Sequence, residues 1–295
     1  MFDAHTFRDA EVQRYLASGD PDHGFAGWPG DTFIDSARRG GAALREALIA
    51  QVHARTVSRA GSPDSGSRDI VGLTRDKVGA MVTGLFATAE QPAVLRMLER
   101  SVVFLTRGNL VEVLRCTRWL RTAWSLANLY LASVGAQRLC EAAPEIVGLS
   151  HGTTCCVSPA HFHEQDPFAD FVVLEAAHVF HNCKRAAVGL PRTGRREWLL
   201  DIDFGHRETF AYACEAYSRI VVLAAATAAR RMTLTRHAEG ALPCGPAVDL
   251  DEYLDILDEA VQTRNGWKRI LQRCAPRRSA NTAAQTWRRP PATAL

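Results

Sequence analysis

Hydrophobic residues recur every three or four positions through most of this chain, which is the spacing of one face of an α-helix. Leu44, Leu48 and Val52, for example, recur every four residues and predict an amphipathic helix. The same pattern predicts helices along most of the chain. They span residues 9–17, 41–55, 75–88, 93–105, 109–133, 168–187, 207–231 and 250–273.

The pattern changes at Glu145, where two short segments favour β-structure instead. Residues 146–149 and 153–157 are rich in Ile, Val, Thr and Cys, and a Ser-His-Gly sequence separates them. This arrangement predicts a pair of strands or one bulged strand. We therefore expect an α+β protein that is mostly helical, with a small sheet before the helix at 168–187.

The chain divides into four predicted regions. Residues 1–140 form a helical N-terminal region, 141–235 a core, and 236–274 a C-terminal helix packed on that core. Residues 58–68 have the Ser, Gly and Pro content of a linker. The basic tail at 275–295 has no apolar periodicity and is predicted to be disordered.

Composition and charge exclude several classes of protein. Hydrophobic residues make up 47% and charged residues 23% of the 295 positions, which excludes a wholly disordered or fibrous chain. Lys and Arg number 35 against 32 Asp and Glu, a balance too even to indicate nucleic acid or a membrane as partner. No secretory signal and no bilayer-spanning stretch is visible, so we expect a cytoplasmic location and no membrane partner.

The predicted helix at 168–187 carries the first candidate functional residues. Glu175 and His178 share one helical face, and His181 follows one turn later, among Val, Leu, Ala and Phe. Burying a carboxylate and two imidazoles is costly unless they bind a metal or satisfy one another. The cluster therefore indicates a metal site or a buried hydrogen-bonded group.

The predicted helix from residue 207 carries the second candidate set. Glu208 and Glu215 are seven residues apart, roughly 10 Å along a helix, so a single metal is expected to reach only one of them. Glu208, at the start of the helix and beside His206, is the expected ligand. Glu215 is left to pair with an arginine or to orient a histidine.

This order of elements resembles the zincin metallopeptidases of the gluzincin type, over residues 145–230. In that family, an edge strand precedes a helix with the motif H-E-x-x-H, and a following helix supplies a further Glu. The resemblance implies that Glu175 is the general base and that His178 and Glu208 bind zinc. It also implies that residues 151–157 form the edge strand along which a peptide substrate pairs. The strand residues expected at the substrate are Thr153, Thr154 and Cys155.

One position departs from the family motif. Leu174 stands where the first zinc-binding His belongs, and leucine cannot bind a metal. Either His181 or His206 supplies the missing nitrogen, or the scaffold has lost its catalytic activity. Tyr212 is a candidate donor to the oxyanion, and Asp203 a candidate partner that holds a ligand imidazole in place.

These residues predict zinc-dependent hydrolysis of peptide bonds, in which the metal activates a water molecule and Glu175 takes its proton. One alternative is an inactive zincin-like scaffold that binds another protein, or that contacts nucleic acid through the basic tail. A second alternative is a non-haem iron enzyme, because carboxylates and a Glu-x-x-His helix also suit iron.

Overall fold

The computed structural model describes residues 4–57, 69–151, 153–192, 197–243 and 247–276. The predicted linker at 58–68 and the tail from residue 277 onward lie outside these ranges. Within them, no helix is both long enough and apolar enough to cross a membrane.

Eleven α-helices and three short strands form in the described ranges. The helices are α1 (Ala4–Ser18), α2 (Phe33–Thr56), α3 (Ile70–Leu85), α4 (Gln91–Ser101), α5 (Leu110–Cys116), α6 (Leu120–Ser133), α7 (Phe171–Asn182), α8 (Arg207–Leu223), α9 (Thr227–Ala238), α10 (Leu250–Gln262) and α11 (Gly266–Cys274). The strands are β1 (Val102–Phe104), β2 (Gly148–His151) and β3 (Thr154–Val157). The predicted α+β class, mostly helical, is confirmed.

The three strands form one mixed sheet in the order β1-β3-β2. The central strand β3 runs parallel to β1, with Val102 opposite Cys155, and antiparallel to β2, with Gly148 opposite Val157. β2 is therefore an edge strand. It comes after the helical N-terminal half of the chain and forms a hairpin with β3.

Several predicted helices are shorter than the apolar pattern suggested. The helix predicted at 93–105 ends at Ser101, because the β-branched pair that follows joins β3 as strand β1. The helices predicted at 109–133, 207–231 and 250–273 are each two helices. In the last case α10 ends at Gln262, and Asn265 caps the start of α11. The Asn265 side chain accepts a hydrogen bond from the Lys268 backbone N–H. Apolar spacing continues across such breaks and so does not reveal them.

The sheet lies between two hydrophobic cores. Cys156 of β3 packs into a core built from α1, α2, α5 and α6, whereas Cys155 and Val157 pack into the core of α3, α4, α7, α8, α10 and α11. Successive residues of a strand face opposite sides, so a single strand serves both cores. In the second core α7 packs against β2 and β3 on one side and against α8 on another, and this packing builds the candidate site.

Candidate functional site

Helix α7 carries Glu175, His178 and His181 through the second core. Asp170 caps its N-terminus by accepting a hydrogen bond from the Val173 N–H, and Lys77 Nζ lies 2.6 Å from the Asp170 carboxylate. Because α7 packs against the sheet and α8 at once, Glu175 and His181 are each only 5% exposed. Three polar side chains are thus held in an otherwise apolar helix.

Glu175 lies beneath strand β2 and has one hydrogen-bond partner there. Ser150 Oγ lies 2.5 Å from Glu175 Oε2 and 2.9 Å from the Glu175 carbonyl oxygen, so the hydroxyl can donate to either. Burial raises the pKa of Glu175 to about 7, although the Ser150 hydrogen bond opposes this shift and Glu208 adds to it. A carboxyl group with this pKa can both give and take a proton near neutral pH.

Gly148 allows β2 to pass this close to Glu175. A Cβ atom at Gly148 would lie 2.5 Å from Glu175 Cγ and 2.6 Å from Oε1. Any side chain at this position would displace either the strand or the carboxyl group. The absence of a side chain at residue 148 is therefore part of the geometry of the site.

His178 and Glu208 meet across the α7–α8 interface. His178 Nε2 lies 3.7 Å from Glu208 Oε2, and the His178 side chain is 15% exposed. Burial lowers the pKa of His178, with Glu208 raising it and Arg207 lowering it further. Residues 30 positions apart in the sequence thus face a common point.

His181 lies one turn beyond His178, with the two ring centroids 5.3 Å apart and the rings perpendicular. Its Nδ1 atom is buried and has no hydrogen-bond partner among the described residues. Burial, together with the neighbouring His178 and Arg207, lowers its pKa to about 3. His181 is therefore a neutral imidazole at any pH near neutrality.

These side chains line a cavity of about 580 Å³, here called the Glu175 cavity. Its walls come from the segment 145–150 that includes most of β2, from α7, and from the start of α8. The predicted residues that line it are Leu174, Glu175, His178, His181, Glu208 and Tyr212. The volume suits a side chain or another small group.

Three other predicted site residues do not line this cavity. His206 Nε2 lies 3.2 Å from Glu252 of α10, and its Nδ1 lies 3.6 Å from Asp203, so both residues are engaged elsewhere. Glu215 is buried at the other end of α7, where it accepts a hydrogen bond from the Asp170 N–H at 2.7 Å. Burial raises the pKa of Glu215 to about 8. Glu215 joins α8 to the start of α7.

Most of the segment predicted to pair with substrate does not lie at a free edge of the sheet. Thr154 and Cys155 belong to β3, the central strand, where Cys155 pairs with both Val102 and Ser150 and Thr154 pairs with His151. Thr153 lies in the turn before β3. A peptide cannot add to a strand whose two edges are already occupied. The free edge next to the cavity is that of β2, because among the described strands β2 pairs only with β3.

The residues present do not fit a three-ligand zinc site. The 3.7 Å between His178 Nε2 and Glu208 Oε2 is short enough for two ligands of one ion, since each bond to zinc is about 2.0–2.2 Å. Leu174 lines the cavity one helical turn before His178 and offers no donor atom. Across the described ranges, no group of three His, Cys, Asp or Glu side chains could hold a metal ion.

Comparison of the chain with models of known protein families, with curated proteins and with solved structures finds no match.

Sequence reasoning missed three residues that shape this site, namely Gly148, Ser150 and Arg207. The first two lie on β2 and act on Glu175, which follows 25 or more positions later. Arg207 lines the cavity next to Glu208. A motif search centred on His and Glu contains no signal for any of them.

Proposed function

We propose that this chain binds an extended peptide segment along strand β2, on a zincin-like scaffold whose zinc site is one ligand short. The observation that carries the proposal is that the only free edge bordering the cavity, among the described strands, belongs to β2. The same cavity holds Glu175, His178 and Glu208.

The backbone of β2 has hydrogen-bonding groups available for such a peptide. The Ser158 N–H donates to the Val147 carbonyl at 2.9 Å, and bonded and non-bonded pairs alternate along an antiparallel ladder. Leu149 and His151 are therefore the bonded partners of β3, and the backbone groups of Gly148 and Ser150 face the outer edge. A peptide that adds as a strand would pair with these two residues.

The cavity lies beside this edge and would receive one side chain or the backbone of the bound peptide. The groups that meet it are the Glu175 carboxyl, whose pKa is about 7, the His178 imidazole, whose pKa is lowered by burial, and the partly exposed Glu208 side chain. These groups can exchange protons with a bound peptide. Only His178 and Glu208 can serve as zinc ligands, however, and a catalytic zinc needs three protein ligands. Binding, rather than zinc-dependent hydrolysis, is therefore the function this site supports best.

Selection from a displayed library of random ten-residue peptides tests the proposal. We expect enriched sequences, and a synthetic copy with blocked termini should bind the purified chain. Methylating every second backbone nitrogen of that peptide should abolish binding in one register and leave it intact in the other, because a strand pairs through alternate residues.

A pair of variants at one position separates strand pairing from other contacts. Ser150→Pro removes the outward N–H, whereas Ser150→Ala keeps it, and both lose the hydroxyl bonded to Glu175. Ser150→Pro should weaken peptide binding roughly two- to tenfold more than Ser150→Ala, the value of one net hydrogen bond. Failure to enrich any peptide, or equal binding by the two variants, would contradict the proposal.

A further inference from the structure

A second and larger cavity of about 830 Å³ lies on the other side of His181 and Arg207, and we call it the Lys268 cavity. It is lined by the end of α3, the segment 198–202, the start of α8 and helix α11 with the two residues after it. His181 and Arg207 line both cavities, so they form the shared wall.

Most of the surface of the Lys268 cavity is apolar. Leu85, Leu200 and Ile202 are buried side chains of the second core, and Trp198 and Leu271 extend this surface. An aliphatic or aromatic group entering the cavity would cover these side chains. Apolar burial of this kind is the main source of affinity for small ligands.

The charged groups of the cavity are Arg207, Lys268 and Asp201, a net charge of one positive unit. Within the described ranges, none of the three forms an ion pair. The fully buried Arg185, by contrast, does have an acidic partner, Glu90. The guanidinium of Arg207 instead lies 5.1 Å from the Phe204 ring.

Two buried polar atoms in the shared wall also have no partner in the described structure. They are Arg207 Nε and His181 Nδ1, and His181 is 5% exposed. A buried polar atom without a hydrogen bond is costly, and native proteins usually satisfy such atoms. Both atoms lie in side chains that border the Lys268 cavity.

We propose that the Lys268 cavity binds a small amphipathic carboxylate, with its apolar part against Leu200 and Ile202 and its carboxylate between Arg207 and Lys268. A guanidinium and an ammonium group without acidic partners match a carboxylate in charge and in hydrogen-bond donors. The ligand is either a free acid or the apolar C-terminal residue of a peptide, since both offer this chemistry. The proposal does not depend on peptide pairing along β2.

Calorimetric titration of the full chain with octanoate, octanamide and octylamine tests the proposal. Octanoate should bind with a Kd in the low millimolar range or tighter, as expected for a ligand of about ten heavy atoms. Octanamide and octylamine, which share the apolar part, should bind at least about tenfold more weakly because they lack the charge-assisted contact. Equal binding of octanoate and octanamide, or no binding of octanoate, would overturn the proposal.

Charge-removing variants locate the carboxylate. Arg207→Gln should weaken octanoate binding roughly tenfold or more and Lys268→Gln roughly threefold or more, whereas Arg100→Gln, on the exposed face of α4, should not change it. Lys268 is exposed, so its variant should fold even where Arg207→Gln does not. Unchanged affinity in Lys268→Gln together with unchanged affinity or loss of folding in Arg207→Gln would overturn the assignment.

A peptide arm distinguishes the two sources of the carboxylate. A blocked-N-terminus peptide ending in Leu-Leu with a free C-terminus should compete with octanoate if the natural ligand is a peptide end, and its amidated form should not. If neither peptide competes while octanoate binds, the ligand is a small acid. Ser150→Pro should leave octanoate binding unchanged, so failure of strand pairing and failure of this site are separate results.

Discussion

The raised pKa of Glu175 predicts how the free energy of unfolding changes with pH. Its folded-state pKa of about 7 lies above the model-peptide value of 4.5, because burial disfavours the charged carboxylate. A raised carboxyl pKa means that the folded state binds the proton more tightly than the unfolded state does. The associated stability is therefore fully present below pH 4.5 and is lost as pH rises toward 7.

The size of this loss follows from the difference between the two pKa values. A shift of this size corresponds to about 3 kcal/mol of unfolding free energy, most of which is lost between pH 5 and pH 8. Glu175→Gln has no charge to bury and can still accept a hydrogen bond from Ser150. The variant should therefore gain about 2.5 kcal/mol relative to the wild type as pH rises through this window.

Urea unfolding of the wild type and of Glu175→Gln at several pH values between 5 and 8.5 measures the difference. Glu145→Gln is the matched control, because the Glu145 side chain borders the same cavity but is 91% exposed. The control should show no pH-dependent difference from the wild type. A constant difference between Glu175→Gln and the wild type across this range would refute the argument that Glu175 is buried with a raised pKa.

Two further predictions concern packing and capping around the site. Gly148→Ala should destabilise the fold by about 1–3 kcal/mol, because its Cβ meets the Glu175 side chain, and Glu175→Ala in the same chain should recover at least half of that loss. Urea midpoints of the single and double variants measure this, and strictly additive losses would argue against the contact. Asp170→Ala should cost about 3–5 kcal/mol, since it removes both the cap of α7 and the buried partner of Lys77. Asp249→Ala, which removes an exposed cap of α10, should cost about 1 kcal/mol in the same assay, and equal losses would contradict the role given to burial.

The sequence was informative where the site depends on local geometry. Spacing of three and four residues on a helix is enough to place Glu175 and His178 on one face, and the start of α8 carries Glu208 to the same cavity. The strand pair was also predictable, since two short runs rich in β-branched residues lie close together in the sequence and favour a hairpin.

Features set by contacts between distant residues were not predictable in this way. His206 is drawn to Glu252 on a helix that begins 44 residues later, so its closeness to Glu208 in sequence was misleading. Which strand lies at the edge depends on β1, whose residues were predicted as helix and whose pairing with β3 spans more than 50 positions. The close approach of Gly148 to Glu175 likewise exists only once the sheet has packed on α7.

Zinc binding by Leu174→His beside the wild type tests the proposal that this cavity is a zincin-like site lacking one ligand. Competition with a chromophoric chelator gives the affinity and the stoichiometry of each protein. We expect Leu174→His to bind about one zinc ion far more tightly than the wild type, and to lose it when His178→Ala or Glu208→Ala is added, because three ligands are then reduced to two. Tight stoichiometric zinc in the wild type, or none in a folded Leu174→His, would contradict the account.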